Sequence, residues 1–182
     1  MKTQSTSLYI LRLALTLLLI TGAVAAALAG VNALTAPYIA AIQAEKTQRA
    51  IGQVLPEASA ELTQQTVNQG IVKTLYTTEA GYAVEVAPAG FDGEITMMVG
   101  IVQGKVSGIS IISHTETAGL GAVAGANTSK GQQFRAQFEG QSGTLAVTKD
   151  GGSIDAITSA TITSRAVTEG VNAAVAYVAG LG

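Results

Sequence analysis

The sequence predicts an α+β protein, with an N-terminal transmembrane helix followed by one extracytoplasmic domain in which a mostly antiparallel sheet carries packed helices. Three observations predict it. No residue from Leu13 through Ala44 is charged. Four short β-rich runs follow one another between Ile71 and Ser113, with turn residues between them. The C-terminal stretch then repeats apolar residues at helical spacing. At 182 residues there is room for one compact domain and an anchor.

The anchor comes first. Leu13 to Leu34 is dominated by Leu, Ala, Val and Ile, enough for the ~20 residues that cross a bilayer. Lys2 and Arg12 with Ala27-Leu28-Ala29 also satisfy the pattern of a cleaved signal peptide. A retained anchor is the expected reading, because the apolar run outlasts the roughly 7 to 15 residues of a signal core and leads without a break into a helix-like segment. Lys2, Arg12 and the terminal amine precede the span, and the next charge is Glu45, so the positive-inside bias puts the N-terminus in the cytoplasm and the domain outside. The expected partition is 1–34 for the N-terminus and anchor, 35–56 for a juxtamembrane helix, and 57–182 for the domain. In 35–56 the apolar positions Ile39, Ile42, Ala50, Ile51 and Val54 have helical spacing, and Pro56 ends it. That spacing suits either a helix at the membrane surface or one packed on the domain.

The strands are expected at Ile71 to Thr78, Tyr82 to Ala87, Ile95 to Val102 and Val106 to Ser113, as an antiparallel meander. In the last of these both alternating faces are partly apolar, which predicts a central strand. A glycine-rich loop, Gly119 to Gly131, precedes a short helical piece with Phe134 and Phe138 at i and i+4, read as core anchors. Leu145 to Thr148 is a further strand candidate, and Asp150-Gly151-Gly152 a turn. Val167, Val171, Ala174, Val175 and Val178 then mark an amphipathic helix packed on the sheet, with Gly170 as its weak point.

Composition excludes several chemistries. The absence of cysteine removes thiolate metal sites, iron–sulfur clusters, a lipoprotein anchor and disulfides. One histidine cannot build a multi-histidine metal site within one chain. A net charge of −2 with no basic stripe argues against nucleic acid as a partner. No acid/base pair or activated nucleophile is aimed at a substrate, so the domain is not expected to turn over a small molecule alone.

Two segments carry chemistry. Asp155-Ala156-Ile157-Thr158-Ser159-Ala160-Thr161-Ile162-Thr163-Ser164 brings hydroxyls and small residues into a helix N-terminus, where free N–H groups and the helix dipole favour a phosphate. The same residues also make an ordinary Ser/Thr helix cap. His114-Thr115-Glu116-Thr117-Ala118-Gly119-Leu120-Gly121 is a strand-ending turn whose glycines let a flat ligand approach the backbone, with Glu116 or Thr117 able to bond its edge. His114 reads as a satisfied surface residue without a catalytic role.

The first segment resembles the Asp-x-x-Ser/Thr-Gly-Ala-Thr flavinylation motif of the FMN-binding domain family, found in the G subunit of Rnf complexes and the C subunit of sodium-translocating NADH:quinone oxidoreductases. Asp155, Thr158, Ala160 and Thr161 match, and Ser159 stands where the family usually has Gly. The second segment resembles the family's His-x-Glu-Thr-Pro-Gly-Leu-Gly loop, with Ala118 in place of Pro. Phe91-Asp92-Gly93-Glu94-Ile95, Met98-Val99-Gly100 and Phe134 with Gln137-Phe138 follow in the family's order, so the likeness covers roughly residues 35 to 180.

The resemblance implies FMN attached through its phosphate to Thr161, installed by a flavin transferase that uses FAD and Mg²⁺. It implies flavin contacts at Glu116, Thr117, Gly119, Leu120, Gly121, Ile162 and Thr163. It implies an electron-transfer subunit of a membrane oxidoreductase complex, partnered by the other Rnf-type subunits and by the lipid bilayer, coupling ferredoxin and NAD electron transfer to Na⁺ or H⁺ translocation in the bacterial inner membrane. The alternatives are an unflavinylated assembly or sensory module and a stand-alone extracytoplasmic flavoprotein reductase. Arg165, just past the motif, could neutralise the phosphodiester or be a solvated helix residue.

Overall fold

The computed structural model describes residues 6–57 and 62–181; Lys2 and the terminal amine, used above for orientation, lie outside the described residues. Helix α1 runs Thr6–Val54. The chain separates into two units, Met1–Glu45 and Lys46–Gly182. The described residues of the first are helix, with side chains exposed from Leu8 to Glu45, and the helix is long and apolar enough to cross a membrane.

The second unit is built on a five-stranded antiparallel meander in the order β1 (Thr63–Gln69), β2 (Val72–Thr77), β3 (Tyr82–Val86), β4 (Thr96–Val102) and β5 (Lys105–Ser113). Helix α2 (Ser129–Ala136) and helix α3 (Thr161–Ala179) follow. On one face Val84, Val86, Met97, Val99 and Ile101 pack with Ala166, Val167, Val171 and Ala174 of α3 and with Phe134 and Phe138. Those two rings meet edge to face with centroids 5.5 Å apart, so they are core anchors as expected. The strand period of two turns the alternate residues Tyr76, Ala83 and Met98 to the other face. There they pack with Ala50, Ile51, Val54 and Leu55, so the last turns of α1 close the sheet's second face.

Three expectations are corrected. First, β5 is an edge strand, not a central one. Its faces are both apolar because α3 covers one and the end of α1 the other, and a bulge puts Val106 on the same face as Ile109: Gly100 pairs with Gly108 and Ile101 with Val106. Part of its free edge is covered by the chain after α2, through Val106 N–H to the Gln141 carbonyl at 2.9 Å and Gly140 N–H to the Val106 carbonyl at 2.8 Å. Second, residues 145–148 form no strand. Only Val147 bridges Ile154, in parallel, and the Asn172 side chain satisfies both the N–H and the carbonyl of Leu145 at 2.8 Å each. Third, Gly170 is a packing site rather than a weak point, since a β-carbon there would lie 3.0 Å from Met97 Sδ and 3.1 Å from Pro88 Cγ. β1 is an addition: its polar Thr-Gln-Gln-Thr-Val-Asn-Gln sequence is nearly all exposed and acquires strand form by pairing with β2.

The closure of α1 on the sheet rests on a small residue. A β-carbon at Gly100 would sit 2.5 Å from the Val54 carbonyl oxygen, which already accepts from Ser107 Oγ at 2.6 Å. Gly100→Ala is therefore expected to destabilise the domain by about 2 kcal/mol through overpacking. Gly108→Ala, whose β-carbon meets nothing nearer than 3.7 Å, should stay within ~0.5 kcal/mol. Denaturation of the two detergent-solubilised variants, followed by circular dichroism, checks the contrast.

Candidate functional site

After β5 the chain enters the loop that contains Glu116, at 7% exposure the one charged side chain buried among the described residues. Its carboxylate accepts from Phe91 N–H at 2.7 Å, from Asp92 N–H at 3.2 Å and from the Thr163 hydroxyl at 2.5 Å. Thr115 Oγ1 donates to the Asp92 carbonyl at 2.5 Å. Glu116 thus ties the loop before β4, its own loop and the first turn of α3 into one body. Burial pushes its carboxyl up, but the hydrogen bonds from Thr163, Asp92 and Phe91 and the charge of His114 outweigh that, so it ionises below the ordinary glutamate value. Gly121 belongs to the same arrangement, because a β-carbon there would collide with Glu116 Oε2. The glycine makes room for the carboxylate. His114 is half-buried rather than a satisfied surface residue, and its Nδ1 has no hydrogen-bond partner among the described residues.

The second segment is pinned at its start by Gln137. That side chain accepts from Asp155 N–H at 2.7 Å and donates to the Asp155 carbonyl at 3.2 Å, leaving the Asp155 side chain exposed. Residues 157–160 form a tight turn closed by Ala160 N–H to the Ile157 carbonyl at 2.9 Å, with Ser159 at φ 63°. Ser159 stands where the motif that the segment resembles has Gly, and the backbone there has the left-handed conformation that glycine takes freely. Ser159→Gly should relieve about 1–2 kcal/mol of local strain against about 0.5–1 kcal/mol of added unfolded-state entropy. The expected result is a net stabilisation of at most ~1 kcal/mol, read as a small rise in melting temperature.

Thr161 follows as the first residue of α3 and is half-buried. The helix is not capped in the Ser/Thr manner, since its N-cap is Ala160 and no side chain bonds the first-turn amides. The other hydroxyls of the first helical turn are committed elsewhere: Thr163 to Glu116, and Ser164 to Ile157 N–H at 2.9 Å and the Ala160 carbonyl at 2.9 Å. Thr161 Oγ1 accepts from Lys149 Nζ at 3.0 Å. Lys149 is a site residue that the sequence does not disclose, since nothing in the spacing of residues 149 and 161 brings them together. Arg165 is not free for a phosphate, because its guanidinium grips Asp150 at 2.7 and 2.6 Å. That hydrogen-bonded pairing lowers the Asp150 carboxyl below its ordinary value and raises the guanidinium.

The two segments share one cavity of about 300 Å³, lined by Phe91, Glu116, Thr117, Leu120, Gly121, Ser159, Ala160, Thr161, Ile162 and Thr163. Gly119, Thr158 and Asp155 lie instead along a neighbouring groove of about 680 Å³, which also includes Leu120 and Ser159. Phe91, Leu120 and Ile162 are exposed at 67%, 41% and 49%, and all three line this cavity as an apolar rim.

Residues 90–176 match the FMN-binding domain family. The chain is 32% identical over 192 residues to the G subunit of the ion-translocating oxidoreductase complex of Methanosarcina acetivorans, an alignment spanning 96% of this chain and 97% of that one. It belongs to the family of these G subunits. Two further relatives from the same family match over about half of either chain. One is the G subunit of the proton-translocating ferredoxin:NAD(+) oxidoreductase complex of Clostridium ljungdahlii, 45% identical over 53% of this chain and 52% of that one. The other is the G subunit of the Na(+)-translocating ferredoxin:NAD(+) oxidoreductase complex of Acetobacterium woodii, 42% identical over 50% and 46%. The FMN-binding match begins within the loop that Glu116 holds and ends inside α3, so it contains every lining residue of the cavity.

Proposed function

We propose that this member of the G-subunit family is the FMN-carrying electron-transfer component of an Rnf-type membrane complex, with the flavin joined through its phosphate to Thr161. The observation that carries the reading is that, of the hydroxyls on the first turn of α3, one is left unspent by the fold. Thr161 heads an uncapped helix, lines the cavity shared with the Glu116 to Gly121 loop, and is bonded to an ammonium group, whereas Thr163 and Ser164 are buried and spent on the fold.

The residues present fit the group. Free amides at the start of α3 and the Lys149 ammonium suit a phosphate. The apolar rim of Phe91, Leu120 and Ile162 suits a flat aromatic ring. When bound, FMN supplies reversible acceptance and release of electrons. Thr161 would retain it, Thr117, Gly119, Leu120, Gly121, Ile162 and Thr163 would border it, and Glu116 would keep the two bordering segments in register. Attachment through the phosphate leaves the ring nitrogens to be tuned by their surroundings.

The remaining parts of the reading are the retained anchor (1–34), the juxtamembrane helix (35–56) and the FMN-binding domain (57–182), with the N-terminus cytoplasmic and the domain outside the inner membrane. Other Rnf-type membrane subunits are the partners, a flavin transferase matures the chain, and the complex couples ferredoxin and NAD electron transfer to Na⁺ or H⁺ movement. Expression with a flavin transferase and the partner subunits tests it. The expected result is a fluorescent flavin band that survives denaturing electrophoresis and co-purifies with the partners. A chain with no band, or one that purifies from the membrane alone, contradicts it.

A further inference from the structure

We infer that Lys149 is the positioning residue of the attachment site: its ammonium holds Thr161 Oγ1 ready for modification and afterwards compensates the charge of the phosphodiester. The inference rests on the reading of Thr161 as the flavin attachment residue.

Backbone structure places the lysine. Lys149 occupies the middle of a 3-10 turn, Thr148–Asp150, ended by Gly151 at φ 83°. The turn is fastened to the strand-like approach of the motif by Thr148 N–H to the Ile154 carbonyl at 2.8 Å and Ile154 N–H to the Ala146 carbonyl at 3.1 Å. These bonds bring the lysine across to a residue twelve positions later.

Its neighbours explain where its charge is directed. Asp150, the adjacent carboxylate, gives both oxygens to Arg165. Among the described residues Lys149 forms no ion pair, and its bond is to a neutral hydroxyl oxygen. An ammonium is a poor match for a hydroxyl alone and a good one for an anion. A phosphodiester on Oγ1 supplies that anion at the same atom. Before modification, the Lys149 donor occupies an oxygen lone pair and leaves the hydroxyl proton directed away from it. In the attachment step Oγ1 forms a bond to the flavin-side phosphorus of FAD. The pyrophosphate P–O bond breaks, AMP departs with those electrons, and the hydroxyl proton passes to the transferase or to water.

The test uses the full-length chain in detergent with purified flavin transferase, FAD and Mg²⁺, comparing wild type, Lys149→Met and Lys149→Arg. Lys149→Met should attach flavin about fivefold more slowly, the scale of an exposed but charge-assisted contact. Its melting temperature should be unchanged, and Lys149→Arg should recover most of the rate. In flavinylated protein, the phosphorus resonance of the diester should differ between wild type and Lys149→Met and be largely restored in Lys149→Arg. Equal rates and identical phosphorus resonances in wild type and Lys149→Met would overturn the inference while leaving Thr161 as the attachment residue. A wild-type chain that accepts no flavin would overturn the attachment reading and the inference with it.

Discussion

Thr161→Val is expected to yield a folded chain with no covalent flavin. The substitution keeps the shape of the side chain and removes one oxygen. That oxygen caps no helix, and its one bond among the described residues is the one it accepts from Lys149. Stability should therefore change by no more than ~0.5 kcal/mol, as for other partly exposed positions free of buried contacts. The effect on modification should be complete. The nearest downstream hydroxyls cannot substitute, because Thr163 and Ser164 are buried, at 2% and 0% exposure, and each donates within the fold. Thr158 and Ser159 are exposed and stand upstream of the helix start. Denaturing electrophoresis with flavin fluorescence, run beside a circular dichroism melt, checks both halves of the expectation; a band that persists on Thr158 or Ser159 would move the site.

Glu116→Ala should be the most damaging change to the fold of the site. It leaves the Phe91 and Asp92 amides and the Thr163 hydroxyl without their acceptor and opens a cavity between two loops and a helix. Unpaired buried donors cost about 1–3 kcal/mol each, and partial access to water reduces the sum, so a loss of about 3 kcal/mol is expected. For a domain of this size that is a fall in melting temperature of roughly 10 °C. The pH dependence follows from the lowered ionisation of Glu116. A carboxyl that ionises lower in the folded than in the unfolded chain stabilises the fold above its unfolded pKa, and that contribution disappears as pH falls through the folded value. Wild type should therefore lose stability on acidification below the ordinary glutamate value of 4.5. Glu116→Gln, which cannot ionise, should start less stable at neutral pH and lose less over the same acid range. Melting curves of the two proteins from neutral to acid pH measure the difference.

What sequence could disclose of this fold depended on where each contact's cause lay. β2 to β5 and α3 were legible because the apolar periodicity of their residues is the cause of their burial. β1 was not, because residues 63–69 carry only Val67 toward the core and become a strand through partner hydrogen bonds. Residues 145–148 look like a strand for the converse reason: Leu145 and Val147 are buried, but the Asn172 side chain fills the place of a neighbouring strand. The edge position of β5 was hidden because the end of α1, far away in sequence, supplies its second apolar cover.

The site divides in the same way. The hydroxyl-rich run before an amphipathic helix marks Thr161 as a helix-start residue, and the structure has it there. The positive φ at Ser159 is the conformation that a glycine, as in the motif the segment resembles, would take freely. The bracing of three segments by Glu116 could not be read from its loop alone, since its partners lie 24, 25 and 47 residues away. Lys149 was invisible because its reach to Thr161 depends on the single bridge between Val147 and Ile154.

The attachment residue is tested most directly by mass spectrometry of the tryptic peptide 150–165, released by cleavage after Lys149 and Arg165, from chain matured with a flavin transferase. The expected peptide is heavier by FMN less one water, with fragmentation assigning the added mass to Thr161. An unmodified peptide, or flavin on any other residue, would contradict the assignment.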